Sequence, residues 1–200
     1  MSRYPPSFYR DDPVEVAQRL LGGLLVHHHV DGDRIGRIVE TEAYRGEEDR
    51  ACHASKGRTA RTEVMYGPPG HAYVYLIYGM YDLLNVVTWP EGEPAAVLIR
   101  ALEPVQGLSG RTDGPGRLTR AMGIDRSFNR ADFSTGLLSL RPDREVGPEQ
   151  IVATPRIGVD YAGDWAQRPW RFHIRENPHV SRTPRPRPKA GAPTKAPSGG

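Results

Sequence analysis

The sequence predicts the α+β class: a single domain with a mostly antiparallel β-sheet, flanking helices and a β-hairpin. Runs of β-branched and aromatic residues follow one another at residues 71–89 and 95–104, with only turn residues between them. Segments with helical features are few and do not alternate regularly with these runs. Crossover helices between parallel strands are therefore not expected.

A helix and a hairpin are predicted at the N-terminus. Asp12 can cap the helix, Pro13 suits its first position, and Gly22 can end it. Strand-like segments at residues 24–30 and 34–44 flank the turn sequence Asp-Gly-Asp, which predicts two paired antiparallel strands.

A long loop and a three-stranded meander are predicted next. The segment from Arg45 to Gly70 is polar and glycine-rich and lacks a sustained strand or helix period, so it is predicted to be a functional loop. Strands at residues 71–77, 82–89 and 95–104 are separated by turn sequences, which favours an antiparallel meander.

The C-terminal third is predicted to contain a short helix and three more strands. The helix is expected near residues 117–122, and the strands lie within residues 135–143, 151–161 and 168–177. Residues 183–200 are rich in proline and basic residues and are predicted to be a disordered tail, which leaves residues 1–182 as the folded domain.

The charge of the protein is concentrated in its tail. Residues 183–200 hold four basic residues and no acidic ones, so residues 1–182 carry 23 basic residues against 24 acidic ones. Attraction to a polyanion would therefore need clustered charge on one face, or the tail. Of the 27 basic residues 24 are arginine, and Lys56 is the only lysine before the tail.

Composition excludes several other classes of protein. The single cysteine, Cys52, rules out an internal disulfide framework and suits a reducing compartment. No apolar run of signal-peptide or membrane-spanning length is present. A cytoplasmic protein without membrane contact is therefore expected.

Four tyrosines lie close together at residues 73–81. Strand alternation places Tyr73 and Tyr75 on one face, and most such aromatics simply pack in a core. Tyr78 falls in the turn beside Gly79, where loop tips are exposed, and Met80 follows it. This pair has the character of an apolar wedge that could enter a stack of bases.

Glu40 and Glu42 are the carboxylates of greatest interest. They share a strand face with Tyr44, and His53 follows within the loop, so a base and an aromatic platform could meet at one site. Spacing alone favours a solvated strand face, and a carboxylate pair of the kind that hydrolyses sugars stays an alternative.

Histidines 27–29 raise the alternative of a metallohydrolase. Alternation lets at most two of the three converge, and the usual cysteine or carboxylate spacing of a zinc site is missing. Exposed strand histidines are the favoured interpretation. No metal and no cofactor are predicted, since the glycine-rich segments also lack a phosphate-loop lysine.

Several motifs in order resemble the alkyladenine (3-methyladenine, methylpurine) DNA glycosylase family. They are GRIVETEAYRG, CHASKGRTART, MYGPPGHAYVYLIYGMYDLLNVV, AVLIRALEP, GPGRLTRAMGID and PRIGVDYAGDWAQRPWRF. The resemblance covers most of residues 12–181. It implies a curved sheet with a protruding hairpin, and a metal-free, monofunctional enzyme of base excision repair. Its partner would be double-stranded DNA with damaged purines, and the enzyme is expected to be a monomer.

The resemblance also implies roles for individual residues. Glu42 would be the general base that activates water, with Arg100 and the backbone carbonyl of Ile157 positioning that water. The other implied roles are the pocket for the flipped purine (Tyr44, His53, Tyr75 and, rejecting guanine's amino group, Asn85) and insertion into the duplex by Tyr78. Met80 is the expected second apolar residue of that wedge. The distribution of basic residues predicts the phosphate contacts: Lys56, Arg58, Arg61, Arg117 and Arg120.

The scarcity of lysine bears on the mechanism. A glycosylase that also nicks the backbone uses an amine to form a Schiff base, and the folded part offers only Lys56 and the N-terminal amine. Hydrolysis by activated water is therefore predicted. The main rival is a non-catalytic module that binds damaged DNA, which would need the aromatic wedge but not the pair Glu42 and Arg100.

Overall fold

The computed structural model describes residues 2–181, and the predicted tail lies outside the described residues. The α-helices are α1 (Pro13–Arg19) and α2 (Pro115–Met122). The strands are β1 (Leu24–His27), β2 (Arg34–Arg45), β3 (Ala72–Ile77), β4 (Tyr81–Val87), β5 (Ala95–Gln106), β6 (Leu138–Arg141), β7 (Ile151–Thr154) and β8 (Arg171–Ile174). Short 3-10 helices are Pro6–Arg10, His53–Lys56, Glu63–Tyr66, Arg126–Phe128, Pro148–Gln150 and Asp160–Gln167.

These strands form one sheet in which every pairing is antiparallel. The order is β3-β4-β5-β2-β1-β6, and β8 pairs with both β2 and β7. The long β2 is central, since β5 runs along one edge of it while β1 and β8 share the other. A bulge between Ile38 and Thr41 bends β2. The predicted α+β class with a curved antiparallel sheet is confirmed.

The sheet is covered on both faces. On one face, residues such as Val74, Leu84 and Ile99 join the main core, to which α1 and α2 contribute. On the other face, the segment between β2 and β3 packs against strand residues. Together they form a second, smaller cluster: Cys52, Ala54, Val64, Met65, Tyr73, Val87 and Ala96. The predicted long loop therefore forms a lid over the second face.

Side chains tie both helices to the sheet. Asp12 caps α1 by accepting from the Val14 amide at 2.8 Å, as the sequence predicted. Thr41 donates from β2 to the carbonyl of Ala17 in α1 at 2.8 Å, and Thr119 donates from α2 to the carbonyl of Asp82 at 2.7 Å. The α1 helix ends at Arg19, three residues before Gly22.

The predicted exposure of the histidine run is wrong at its first member. Strand β1 ends at His27, whose buried ring packs against Phe128 and whose Nδ1 lies 2.7 Å from the Met122 carbonyl oxygen. Burial lowers the pKa of His27. His28 instead pairs with Asp33 at 2.8 Å. His27 therefore packs with α2 rather than facing solvent.

Candidate active site

A cavity of about 580 Å³ opens on the second face of the sheet. Its floor comes from alternate residues of four adjacent strands, and its walls come from the long loop, the start of α2 and residues 157–161. The predicted site residues among its lining are Tyr44, His53, Tyr75, Tyr78, Asn85, Arg100, Arg117 and Ile157. Its volume is that of a typical small-ligand site.

Glu42 is fully buried behind the lining of this cavity, where it contacts three lining residues, Tyr44, Arg100 and Ile157. Its Oε1 accepts from the Ile157 amide at 2.8 Å and lies 3.2 Å from an Arg100 terminal nitrogen. Its Oε2 accepts from the Tyr44 hydroxyl at 2.8 Å. A carboxylate has about four acceptor positions, so these two hydrogen bonds and the ion pair with Arg100 leave about one free. The Ile157 contact is through the amide, and the water contact of its carbonyl stays a prediction.

Arg100 joins Glu42 to the second buried carboxylate, Glu40. Arg100 donates through Nε to Glu40 at 2.8 Å. Burial alone would lower the pKa of Arg100, but Glu42 and Glu40 raise it above its ordinary value. The interpretation of Glu40 and Glu42 as a solvated strand face is therefore wrong, because neither has exposed surface. Alternation nevertheless placed them on one face as predicted.

Tyr44 forms one wall and is supported from behind by Arg156. The Arg156 guanidinium lies 4.9 Å from the Tyr44 ring centre and 5.1 Å from that of Trp170. It also binds Asp49 through two contacts of 2.5 and 2.8 Å, with both side chains fully buried. Burial raises the pKa of Tyr44 well above its ordinary value, and the nearby Glu42 adds to this. The wall is therefore neutral and rigidly held.

Tyr75 and His53 form the opposite aromatic group. Their ring centres are 4.6 Å apart and nearly perpendicular, and His53 Nδ1 lies 2.9 Å from the Tyr73 hydroxyl. The Arg61 guanidinium lies 5.0 Å from the Tyr75 ring centre. Burial, with the charges of Arg61 and Lys56, lowers the pKa of His53 to about 4. His53 is therefore uncharged at neutral pH.

Asn85 occupies the floor between these walls. Its side-chain nitrogen donates to the Tyr73 carbonyl at 3.0 Å across the β3–β4 pair. The amide is almost completely buried and faces the cavity. A hydrogen bond to the backbone fixes its orientation, so it presents a constant shape to any occupant.

The hairpin between β3 and β4 carries the predicted wedge at the edge of the cavity. Tyr78 is 81% exposed and Met80 is 63% exposed. Tyr78 has φ +53° and Gly79 has φ +68°, the left-handed region at both central positions of the turn. Tyr81 instead packs against α2, where a Cβ on Gly116 would come within 2.8 Å of its ring. The exposure of Tyr78 matches the expectation for a residue at the tip of a turn.

The five predicted phosphate-contact residues are all exposed, but they differ in their partners. Arg58 forms a two-contact pair with Glu63, and Arg117 lies 3.2 Å from Asp113. Within residues 2–181, no carboxylate lies within 4 Å of Lys56, Arg61 or Arg120. These three residues therefore carry the least compensated charge of the set.

Sequence reasoning missed a set of residues that surround the predicted ones: Asp49, Arg156, Arg171 and Ser181. Three arginines at this site are buried, at positions 100, 156 and 171. The strong excess of arginine over lysine was a signal for them, because guanidinium groups suit buried ion pairs. In the described part of the chain no group of three or more His, Cys, Asp or Glu residues could hold a metal ion. None of its helices has the length and apolar character needed to cross a membrane.

Comparison with known proteins now identifies the family. The family described as Methylpurine-DNA glycosylase (MPG) matches residues 7–178. The chain belongs to the methylpurine-DNA glycosylase family. The predicted resemblance is confirmed, and with it an enzyme class that hydrolyses N-glycosyl bonds of DNA in DNA repair.

Curated relatives from three organisms agree with this assignment. A protein of Myxococcus xanthus (strain DK1622) is 55% identical over 188 residues, covering 93% of this chain and 97% of the relative. One from Legionella pneumophila (strain Corby) is 51% identical over 92% of this chain and 100% of its own length. One from Methanocella arvoryzae is 53% identical over 89% and 95%. Each bears the name "Putative 3-methyladenine DNA glycosylase".

Proposed function

We propose that the protein excises alkylated and otherwise damaged purines, of the 3-methyladenine type, from double-stranded DNA. The nucleotide would be flipped into the cavity, and water activated by Glu42 would hydrolyse the N-glycosidic bond. The observation that carries this proposal is a buried carboxylate held by Arg100, Tyr44 and the Ile157 amide behind the lining of an aromatic cavity. A module that only binds DNA has no need of this arrangement.

The two carboxylate oxygens of the proposed base have different surroundings. Arg100 and the Ile157 amide engage Oε1, which leaves the free acceptor position of Glu42 on Oε2 beside the Tyr44 hydroxyl. A water in that position would lose a proton to Glu42 as its oxygen attacks the anomeric carbon. The bond from that carbon to the purine nitrogen breaks, and its electron pair leaves with the purine, which departs neutral when alkylation has made it cationic. Because Glu42 is buried, such a water is shielded from bulk solvent.

The aromatic walls suit a purine outside the duplex. Extrusion costs a few kcal/mol of pairing and stacking, which damage lowers and pocket contacts offset. Tyr44 on one side and Tyr75 with His53 on the other supply flat surfaces, and alkylated purines that are cationic gain a cation–π attraction. Asn85 would reject the amino group of guanine by its size, since its amide is fixed to the Tyr73 carbonyl.

Tyr78 and Met80 would enter the duplex where the purine left. Both side chains are exposed, and Tyr78 lies at the edge of the cavity, as an intercalating wedge requires. Lys56, Arg58, Arg61, Arg117 and Arg120 would contact the flanking phosphates. Asp82, on the same hairpin, faces Arg126 at 3.3 Å, which reduces its repulsion of a phosphate.

The decisive experiment is single-turnover release of free base by the wild type and Glu42→Gln. Substrates are duplexes with one hypoxanthine or 1,N6-ethenoadenine, and alkylated DNA. We expect release by the wild type and a loss of about 100-fold or more in the variant, the usual contribution of a general base, with lesion binding retained. Glu93→Gln, in an exposed loop, is the matched control and should match the wild type.

Two outcomes would contradict the proposal. Lesion binding by the wild type without release from any substrate would favour the binding module. Full activity of Glu42→Gln would remove Glu42 from the proposed mechanism. On abasic DNA without alkali we expect intact strands, because Lys56 is exposed at the end of a 3-10 helix and lies outside the cavity lining.

A further inference from the structure

Glu40 is the most heavily bonded carboxylate beneath the cavity, and the proposed chemistry does not use it. Its Oε1 accepts from Arg100 Nε at 2.8 Å, Arg171 Nε at 2.7 Å and the Ser181 hydroxyl at 2.8 Å. Its Oε2 accepts from the Ser181 amide at 2.6 Å. Three of these donors bind Oε1 and only the Ser181 amide binds Oε2, so at most one acceptor position of Glu40 is left, beside that amide.

Arg171 bonds to Glu40 rather than to the residue opposite it in the sheet. In the β2–β8 pair, Arg171 stands directly opposite Glu42, yet its Nε bonds to Glu40. Arg100 likewise gives its Nε to Glu40 and reaches Glu42 only with a terminal nitrogen, at 3.2 Å. Glu40 thus draws two guanidinium groups toward itself that could otherwise close on Glu42.

The four groups form a charge-balanced cluster. Glu40 and Glu42 contribute two negative charges, and Arg100 and Arg171 contribute two positive ones. All four have less than a tenth of their surface exposed, so solvent screens their interactions weakly. Burial alone would raise the pKa of Glu40, but Arg100 and Arg171 hold it below its ordinary value.

We propose that Glu40 is a positioning residue that sets the basicity of Glu42 by holding Arg100 and Arg171. This inference rests on the proposed role of Glu42 as the base. Without the charge of Glu40, two guanidinium groups would share one carboxylate, and Glu42 would be a weaker base. Without Arg171, the cluster would carry a net negative charge, and Glu42 would be a stronger base.

Other titratable and charged groups face the cluster, and their effect on the pH dependence must be distinguished from that of Glu40. Tyr44 and Tyr75 approach Glu42, and burial raises the pKa of both, so they stay neutral across the working range. Arg156 also acts on Glu42 but is paired with Asp49. His173 is the cross-strand neighbour of Glu40, and burial lowers its pKa. His173→Gln therefore serves as a control for titration of that ring.

The first test is the pH dependence of single-turnover base release. We expect the acid limb to move to lower pH in Glu40→Gln and to higher pH in Arg171→Met, each by about one unit, the effect of one nearby charge. Glu40→Asp keeps the charge and should return the limb toward its wild-type position. Ser181→Ala removes one hydrogen bond without changing charge, so its limb should stay with that of wild type.

A second test needs no activity. The full-length protein and its variants are titrated with duplexes that carry a cationic pyrrolidine or a neutral tetrahydrofuran in place of the abasic sugar. The preference for the cationic probe should fall several-fold in Glu40→Gln and rise in Arg171→Met. This readout reports the charge of the cluster and remains available if a variant is too slow to assay.

The outcomes separate the two proposals. If the wild type releases no base, the proposed function is refuted. The ratio of the affinities for the cationic and neutral probes would still test the charge balance of the cluster. An active wild type whose acid limb and probe ratio do not move, or move in the same direction for both charge variants, would show that Glu40 only supports the fold. Variants are compared where circular dichroism shows them folded.

Discussion

The layer of buried charged residues beneath the cavity and the tip of the β3–β4 hairpin differ in burial and in backbone strain. In the buried layer every charge has a partner: Glu40, Glu42 and Asp49 are bound by Arg100, Arg171 and Arg156. At the tip, Tyr78 is exposed and adopts a left-handed backbone conformation that tyrosine rarely takes. Loss of a partner in the layer should cost stability together with function, whereas at the tip the two should separate.

The largest effect is expected from breaking the buried pair of Arg156 and Asp49. Arg156→Met keeps a long side chain between Tyr44 and Trp170 but leaves the Asp49 carboxylate buried without its partner. We expect the free energy of unfolding to fall by about 3–5 kcal/mol, the usual result of removing one member of a buried pair. Urea denaturation at pH 7.5 measures this.

The matched control for that variant is an exposed pair. Arg111 binds Asp113 through two contacts, but 62% of its side chain is exposed. Arg111→Met should leave the unfolding midpoint unchanged, because solvent screens such pairs. If Arg156→Met also leaves it unchanged, Asp49 must reach solvent, and the contrast between the buried layer and the surface would not hold.

Local sequence patterns predicted the strand faces but not their burial. Alternation correctly placed Tyr73 and Tyr75 on one face of their strand, and Glu40 and Glu42 on one face of theirs. Nothing near Glu40 shows that it is buried, because two of its partners, Arg171 and Ser181, lie 131 and 141 residues away along the chain. Burial of a charge depends on such distant partners, so spacing alone favoured a solvated face.

The site roles themselves came from whole motifs rather than from spacing. The order of the motifs led to Glu42, Arg100, Tyr75 and Asn85, which the fold brings to one cavity floor and its underside. His27 shows the limit of local reasoning, because its burial depends on Phe128 and Met122 in a distant segment. Patterns within one strand report which face a residue occupies, and only tertiary contacts report what covers that face.

An intermediate effect is expected at His53, which is half-buried between the two regions. Its folded pKa of about 4 lies below the ordinary value of 6.5, so the unfolded chain binds the proton more tightly. The stability from neutral His53 is complete above pH 6.5 and is lost as the pH falls toward 4. Between pH 7.5 and pH 5 this loss amounts to about 2 kcal/mol.

Denaturation at the two pH values in wild type and His53→Gln isolates this contribution. The wild type should lose more stability than the variant over that interval, since His27 and His173 titrate alike in both. An equal loss in the two proteins would mean that His53 is protonated in the folded state near neutral pH. It would then be available as a general acid, contrary to its proposed role as a neutral wall.

The smallest change in stability, and one of opposite sign, is expected at the hairpin tip. Asparagine tolerates the left-handed region better than tyrosine, so Tyr78→Asn should raise the free energy of unfolding by about 1 kcal/mol. The same variant should release base from a duplex at least about 10-fold more slowly, because the space left by the extruded purine is not filled. Release from single-stranded DNA should change little, since no duplex stack has to be held open.

Tyr78→Ala separates the two causes, because alanine removes the ring but keeps a side chain that disfavours the left-handed conformation. It should share the duplex-specific defect of Tyr78→Asn without its gain in stability. If Tyr78→Asn is instead less stable than the wild type, the exposed ring makes contacts that outweigh its backbone strain. If duplex and single-stranded substrates are affected equally, Tyr78 acts on the cavity rather than on the DNA stack, and Met80 becomes the better candidate for insertion.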